Sequence, residues 1–263
     1  IFILCTAANM FGMHFSSRIS TYGAIFGTLI PMLIICSLGI SELSQLPLTH
    51  LNFQQFLPNL SEQHESLPYL VELIFGLVGI EMSAVHADKV INPASAYPRA
   101  ILITAMVILS SLIFSSLSVY LLVPKDELNI IAGIMQCAEF LLEKQHLSWL
   151  FPIFGLLIIV GSLTTTITWI IGVTRGLFVV TKDGFLPSFL AKTNSQGVPA
   201  KILLVQMIIF IILSLAVVLF PLEVAFVMIS AITTQLSLVI YIILFLAAIK
   251  LRAQRPDTKF FKA

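Results

Sequence analysis

The feature that most constrains this chain is its succession of apolar stretches, most of them long enough to supply the ~20 residues a helix needs to cross a bilayer. In lipid the backbone must satisfy its own polar groups, so such stretches imply helices rather than open sheet. Composition agrees. Of 263 residues, 58% are hydrophobic and 10% charged, where a soluble domain carries about a quarter charged residues. One soluble core cannot hide that much apolar surface, and the expected class is an all-α integral membrane protein. A net charge of +1 argues against a nucleic-acid partner or an acidic tail. Cys5, Cys36 and Cys137 show no CxxC or metal-ligand spacing. There is no Walker motif and no nucleophile elbow, so neither metal, cofactor nor enzyme chemistry is expected.

Complete spans are expected at residues 22–40, 69–90, 100–123, 149–180, 201–220 and 224–249, with 1–10 the tail of a truncated span. All 263 residues read as a single transmembrane domain. Residues 11–20 read as a short polar turn carrying Arg18, and Pro31 should kink the span that follows. Asn92-Pro93 and Tyr97-Pro98-Arg99 read as a stiff turn between spans. Across 130–142, Ile130, Ile131, Ile134, Met135, Ala138, Leu141 and Leu142 recur at helical spacing. That predicts an amphipathic helix lying on the membrane surface or on the protein itself.

The span at 69–90 is unlike the others. Gly76 and Gly79 weaken its middle, and Glu81 sits at the weak point. A carboxylate near mid-membrane costs roughly 2.5–3.5 kcal/mol on insertion scales, so it is carried where it meets a cavity or a partner. A hydrophobic span broken by glycine, with polar groups at the break, points to a transporter's binding site. The plainer reading is a kinked packing helix whose Glu81 bonds a neighbour. Two further spans carry polar stripes. Ser162, Thr165, Thr166 and Trp169 share one face, with Thr164, Thr168 and Gly172 on an adjacent one; Ser230, Thr233, Thr234, Ser237 and Tyr241 share another. Hydroxyls in membrane helices often bond their own i−4 carbonyl and let helices pack closely, which is the plain alternative. His86 follows Glu81 towards the end of its span; it suits a proton relay or a histidine bonded to a loop.

Charge sets the orientation. The loops after the first, third, fifth and seventh spans, with their flanks, hold Arg18, Lys89, Arg99, Arg175, Lys182, Lys192, Lys201 and the five basic residues from Lys250 onward. The opposite loops hold Lys125 and Lys144. By the positive-inside rule the basic loops and the C-terminal tail are cytoplasmic.

Gly79-Ile-Glu81, Ser83-Ala-Val-His86, Asn92-Pro93 and Tyr97-Pro98-Arg99-Ala100 together resemble the sixth-helix signature of the amino acid–polyamine–organocation superfamily. The resemblance continues through Ile131-Ala-Gly-Ile-Met-Gln136, Trp169-Ile-Ile-Gly172, Thr174-Arg-Gly176, Leu186-Pro187, Asn194, Gly197-Val-Pro199 and Arg255-Pro-Asp257. Within the superfamily it is most similar to bacterial glutamate/γ-aminobutyrate antiporters. It implies part of a LeuT-type bundle, from the end of that fold's helix 4 to its helix 10. The broken span would be its helix 6, the Thr-rich span its helix 8 and the last span its helix 10. Helices 1–3 and 11–12 of that fold would be missing partners. Two positions depart from the antiporters: Thr165 stands where they have a glutamate thought to tune substrate choice, and Ser237 replaces one of two tyrosines, leaving Tyr241.

The reading is thus a bacterial inner-membrane amino-acid antiporter working by alternating access around a broken helix, with the lipid bilayer and a small amino acid as partners. Its candidate substrate site comprises Gly76, Gly79, Ile80, Glu81, Ser83, Thr165, Trp169, Ser237 and Tyr241, with Glu81 and His86 as candidates for proton coupling. Glu81 could bond a neighbouring helix, hold the break open or carry a proton. The alternative is a non-transporting membrane fragment or scaffold derived from a truncated transporter.

Overall fold

The computed structural model describes residues 1–43, 71, 73–82, 84, 90–122, 129 and 131–254, and among them it is all-α. In chain order come α1 (Phe2–Met10), α2 (Met13–Ala24), a π-helical turn (Ile25–Leu29) and α3 (Ile30–Leu43). Then follow α4 (Pro93–Leu122), α5 (Gly133–Lys144), α6 (Phe151–Lys182), α7 (Ala200–Val217) and α8 (Leu222–Gln254). Five helices among the described residues are long and apolar enough to cross a membrane: Phe15–Glu42, Pro93–Tyr120, Ser148–Lys182, Ala200–Val217 and Leu222–Gln254. The sixth expected span, 69–90, lies partly outside the described residues; what is described is the shorter apolar piece Leu73–Met82. Its contacts fall into two compact units, Ile1–Pro47 with Ser110–Leu219, and Leu48–Leu109 with Phe220–Ala263.

Two boundaries differ from expectation for local reasons, and Pro31 is accommodated within its span. The polar stretch 11–20 is mostly helix: the turn is confined to Phe11 and Gly12, and Gly12 adopts φ 106, a conformation glycine takes without a Cβ penalty. Hydroxyls that look loop-like in sequence are satisfied on the helix, as where Thr21 Oγ1 donates to the Ser17 carbonyl at 2.9 Å. Pro31, which lacks an N–H for the Gly27 carbonyl, follows directly on the π-helical turn; widening the ladder there accommodates its ring. The turn expected at 92–99 is the start of α4 instead. Asn92 takes φ 53, its carbonyl accepts from the backbone N–H groups of Ser95 and Ala96, and Pro93 is the first helical residue, where its missing N–H costs nothing.

The first unit is held by close backbone approach. A Cβ built on Gly27 would collide with the backbone of Gly161, one on Gly161 with the carbonyl of Gly27, and one on Gly23 with the side chain of Thr164. Gly23 and Gly27 are spaced as a small-xxx-small motif, which lets membrane helices meet closely enough for dispersion to hold them. Around this crossing, α1 packs through Cys5 against Ile167, Ile170 and Leu203. Fully buried Asn9 donates from Nδ2 to the Ile167 carbonyl at 3.1 Å. Asn194 donates from Nδ2 to the Met10 carbonyl at 3.1 Å, and its Oδ1 accepts from the N–H groups of Gln196 and Val198. That asparagine thereby shapes its own loop, with Gly197 at φ 74, and ties it to the end of α1.

Helix α5 lies on protein. Cys137, Ala138 and Leu141 are buried against Ile35 and Phe154. Burial pushes the Cys137 thiol up to about 11, leaving it unreactive at neutral pH. Just beyond its last turn, Glu42, 2% exposed, pairs with Lys144 and accepts from Gln145 Nε2 at 2.7 Å. Lys144 is itself half-exposed, so solvent screens the pair, and without Lys144 the Glu42 carboxylate keeps Gln145 as its partner.

Candidate functional site

The broken segment belongs to the second unit. Leu73, Ile74 and Phe75 are helical; Gly76 to Gly79 form turns, and Ile80 to Met82 a tight helical turn. The surviving backbone bonds are short-range: Leu77 N–H to Ile74 C=O, Val78 N–H to Phe75 C=O and Met82 N–H to Gly79 C=O, at 2.9, 3.1 and 3.0 Å. Gly79 sits at φ 104, outside the right-handed helical region. Its N–H therefore leaves the helical ladder and must find another partner.

It finds two. The Gly79 N–H donates to Glu81 Oε2 at 3.1 Å and to the Tyr241 hydroxyl oxygen at 3.3 Å. Tyr241 in turn donates its O–H to Glu81 Oε2 at 2.7 Å. The three groups close a triangle around the break, with Glu81 accepting twice through one oxygen. Glu81 Oε1 has no hydrogen-bond partner among the described residues. Tyr241 comes from α8, on the face that carries Ser230, Thr234 and Ser237. Ser230 and Thr234 are buried and Ser237 half-buried, while most of the rest of that helix is exposed. The serine and threonine hydroxyls are used locally: Ser237 Oγ donates to the Thr233 carbonyl and Thr234 Oγ1 to the Ser230 carbonyl, both at 2.8 Å.

Of the residues expected at the site, Gly79, Glu81 and Tyr241 are joined directly. Gly76 opens the break and Ile80 lies within it. Ser237 stands one helical turn from Tyr241. Thr165 and Trp169 lie in the first unit, on the exposed side of α6. The packed side of α6 carries Thr164 and Gly172 from the adjacent stripe instead. Ser83 and His86 lie outside the described residues. Sequence reasoning placed Glu81 and Tyr241 in one list but did not pair them. It also passed over Asn9, whose only signal is a lone amide within an apolar run.

Comparison with known proteins assigns the family. The family model described as "Amino acid permease" matches residues 1–262. The chain belongs to the amino acid permease family. Like other amino acid permeases it is a multi-pass membrane protein, and its similar relatives carry the names of transporters. An uncharacterized transporter of Legionella pneumophila is 38% identical over 98% of this chain and 56% of its own length. A glutamate/γ-aminobutyrate antiporter of Lactococcus lactis subsp. cremoris is 30% identical over 80% of this chain and 42% of its own. A probable agmatine/putrescine antiporter of Lactococcus lactis subsp. lactis is 25% identical over 88% and 50%. The chain thus spans about half the length of the curated relatives it matches.

A consequence of the triangle is open to measurement in this permease. Tyr241→Phe removes the donor to Glu81 and one acceptor for Gly79 while keeping the ring. Losing a hydrogen bond to a charged group costs about 1.5–3 kcal/mol. If the chain works as part of a transporter, transport by the completed assembly should therefore drop roughly tenfold or more, with membrane insertion unchanged. Transport equal to that of the unmodified chain would mean that the triangle carries no load.

Proposed function

We propose that this chain forms part of an amino-acid exchanger of a bacterial inner membrane, working by alternating access around the break between Gly76 and Glu81. The observation that carries the reading is the Gly79 N–H drawn out of its helix and held by Glu81 and Tyr241. An unwound helix offers backbone donors and acceptors to the ammonium and carboxylate of a free amino acid in a site shielded from water. The compounds in the names of the relatives, glutamate, γ-aminobutyrate, agmatine and putrescine, all carry an ammonium or amidinium-type cation. Glu81 Oε1, with no partner among the described residues, suits that cation. Gly76, Ile80, Ser83 and Ser237 would line the same site, and the family resemblance keeps Thr165 and Trp169 as candidates for side-chain contacts. Glu81 and His86 are the candidates for proton coupling.

The test is counterflow in liposomes, with the chain reconstituted alone and together with the remaining segments of a relative. Saturable exchange of one or more of the four compounds is expected in the completed assembly. Absence of exchange from a folded, completed assembly would favour the second reading, a non-transporting membrane fragment.

Orientation forms part of the proposal: the basic loops and C-terminal tail face the cytoplasm. Single cysteines replacing Ser61 and Ser195 in a cysteine-free background should react with an impermeant thiol reagent from opposite sides of the membrane, Ser61→Cys from outside. Reaction from the same side would overturn the topology.

A further inference from the structure

We propose that a groove on the first unit, between α6, α7 and the short turn Ser188–Ala191, seats one acyl chain of an anionic phospholipid whose phosphate is held by Lys201. The groove has a volume of about 240 Å³, and its walls include Val173, Leu177, Leu190, Ile202 and Val205. One polar residue, Gln206, lines it, and Gln206 Oε1 lies 2.9 Å from the buried Thr174 hydroxyl, a bond made within the protein. Apart from the Gln206 amide nitrogen, the walls are apolar, and a hydrocarbon chain matches them.

Its rim is cationic. Lys201 directly precedes the wall residue Ile202 in the first turn of α7, and its ammonium lies 5.5 Å from the ring centroid of Phe189, the neighbour of the wall residue Leu190. Lys192 follows Leu190 by two positions and is exposed. Neither lysine meets a carboxylate at salt-bridge distance among the described residues. From 182 to 201 the chain carries Lys182, Lys192 and Lys201 against a single acid, Asp183. A neutral lipid would leave this charge unmatched, and a small inorganic anion would leave the apolar walls unfilled. An anionic phospholipid answers both, as basic pockets between membrane helices on the cytoplasmic side do. The leaflet that supplies it follows from the orientation proposed above; the site does not depend on transport.

Native mass spectrometry of the detergent-purified chain, with phosphatidylglycerol or phosphatidylcholine of matched acyl chains, tests the proposal. One phosphatidylglycerol per chain should be retained in preference to phosphatidylcholine. Lys201→Gln should lower that preference about fivefold, as expected for one lysine near an anionic headgroup. Val205→Trp, which fills the groove, should lower retention of both lipids. Equal retention of the two lipids by the unmodified chain would overturn the proposal, as would an unaltered preference in Lys201→Gln. Displacement of the lipid by equimolar inorganic phosphate would reduce the site to a simple anion site and overturn the acyl-chain assignment. The unmodified chain and Lys201→Gln decide the matter even if Val205→Trp misfolds, and none of these readouts requires exchange activity.

Discussion

Replacing Gly79 with leucine should reduce exchange of every substrate by the completed transporter proposed above by about a hundredfold, on the scale of roughly tenfold per 1.4 kcal/mol, while the protein still inserts. At φ 104 a residue with a Cβ is strained, and backbone strain of this kind costs of order 1–3 kcal/mol. The leucine can relieve it by returning to right-handed helix, which carries the Gly79 N–H away from Glu81 and Tyr241. It can also keep the strained geometry and place an isobutyl group inside the break. Both outcomes remove the backbone surface that a substrate needs. Gly76 belongs to the same break but is exposed and is not among the residues with positive φ, so alanine at each of the two positions isolates the effect of the turn. Gly76→Ala should lose far less than Gly79→Ala. Equal losses for the two alanine variants would mean that chain flexibility, rather than the specific turn at Gly79, is what transport requires.

The second large effect concerns stability. In Gly161→Ala the new methyl would meet the Gly27 carbonyl, and a backbone atom cannot swing aside as the end of a flexible side chain can. Overpacking typically costs about 1–3 kcal/mol and occasionally more, and Gly161→Ala should fall at or beyond the upper end. Gly176 stands on the same helix with nothing within 4 Å of the corresponding Cβ. Gly176→Ala should therefore be neutral or up to about 1 kcal/mol more stable, from helix propensity alone. Thermal or denaturant unfolding in a fixed detergent separates the two. If Gly161→Ala unfolds like Gly176→Ala, α6 does not meet the π-helical turn at backbone distance.

The same glycines show what a sequence can and cannot reveal. Apolar length, the break between Gly76 and Glu81 and the face shared by Thr234, Ser237 and Tyr241 are local properties, and they are legible in the order of residues. The helical character of Met13–Ala24 was hidden because serine and threonine look alike in a loop and on a helix that satisfies them through its own carbonyls. Pro93 reads as a turn, since proline at the first helical position and proline in a loop carry the same letter, and Pro98 strengthens that reading although it lies inside the helix. Partnerships across the chain were not legible at all. Glu81 and Tyr241 are separated by 160 positions, and nothing in the spacing of either says that they share a hydrogen bond. Likewise Gly23 and Gly27 announce a close contact without naming Gly161 and Thr164 as the surfaces that receive them.

Direct contact between substrate and the break is best measured at Ile80, which lies between the glycine and the carboxylate. An Ile80→Cys variant in a cysteine-free background, reconstituted as the completed transporter and shown to exchange, offers one thiol for a small methanethiosulfonate reagent. Transported amino acids should slow its modification in proportion to their occupancy, and amino acids that are not transported should leave the rate unchanged. An unaltered rate under saturating substrate, in protein that still exchanges, would place the substrate elsewhere and contradict the reading of this break as the binding site.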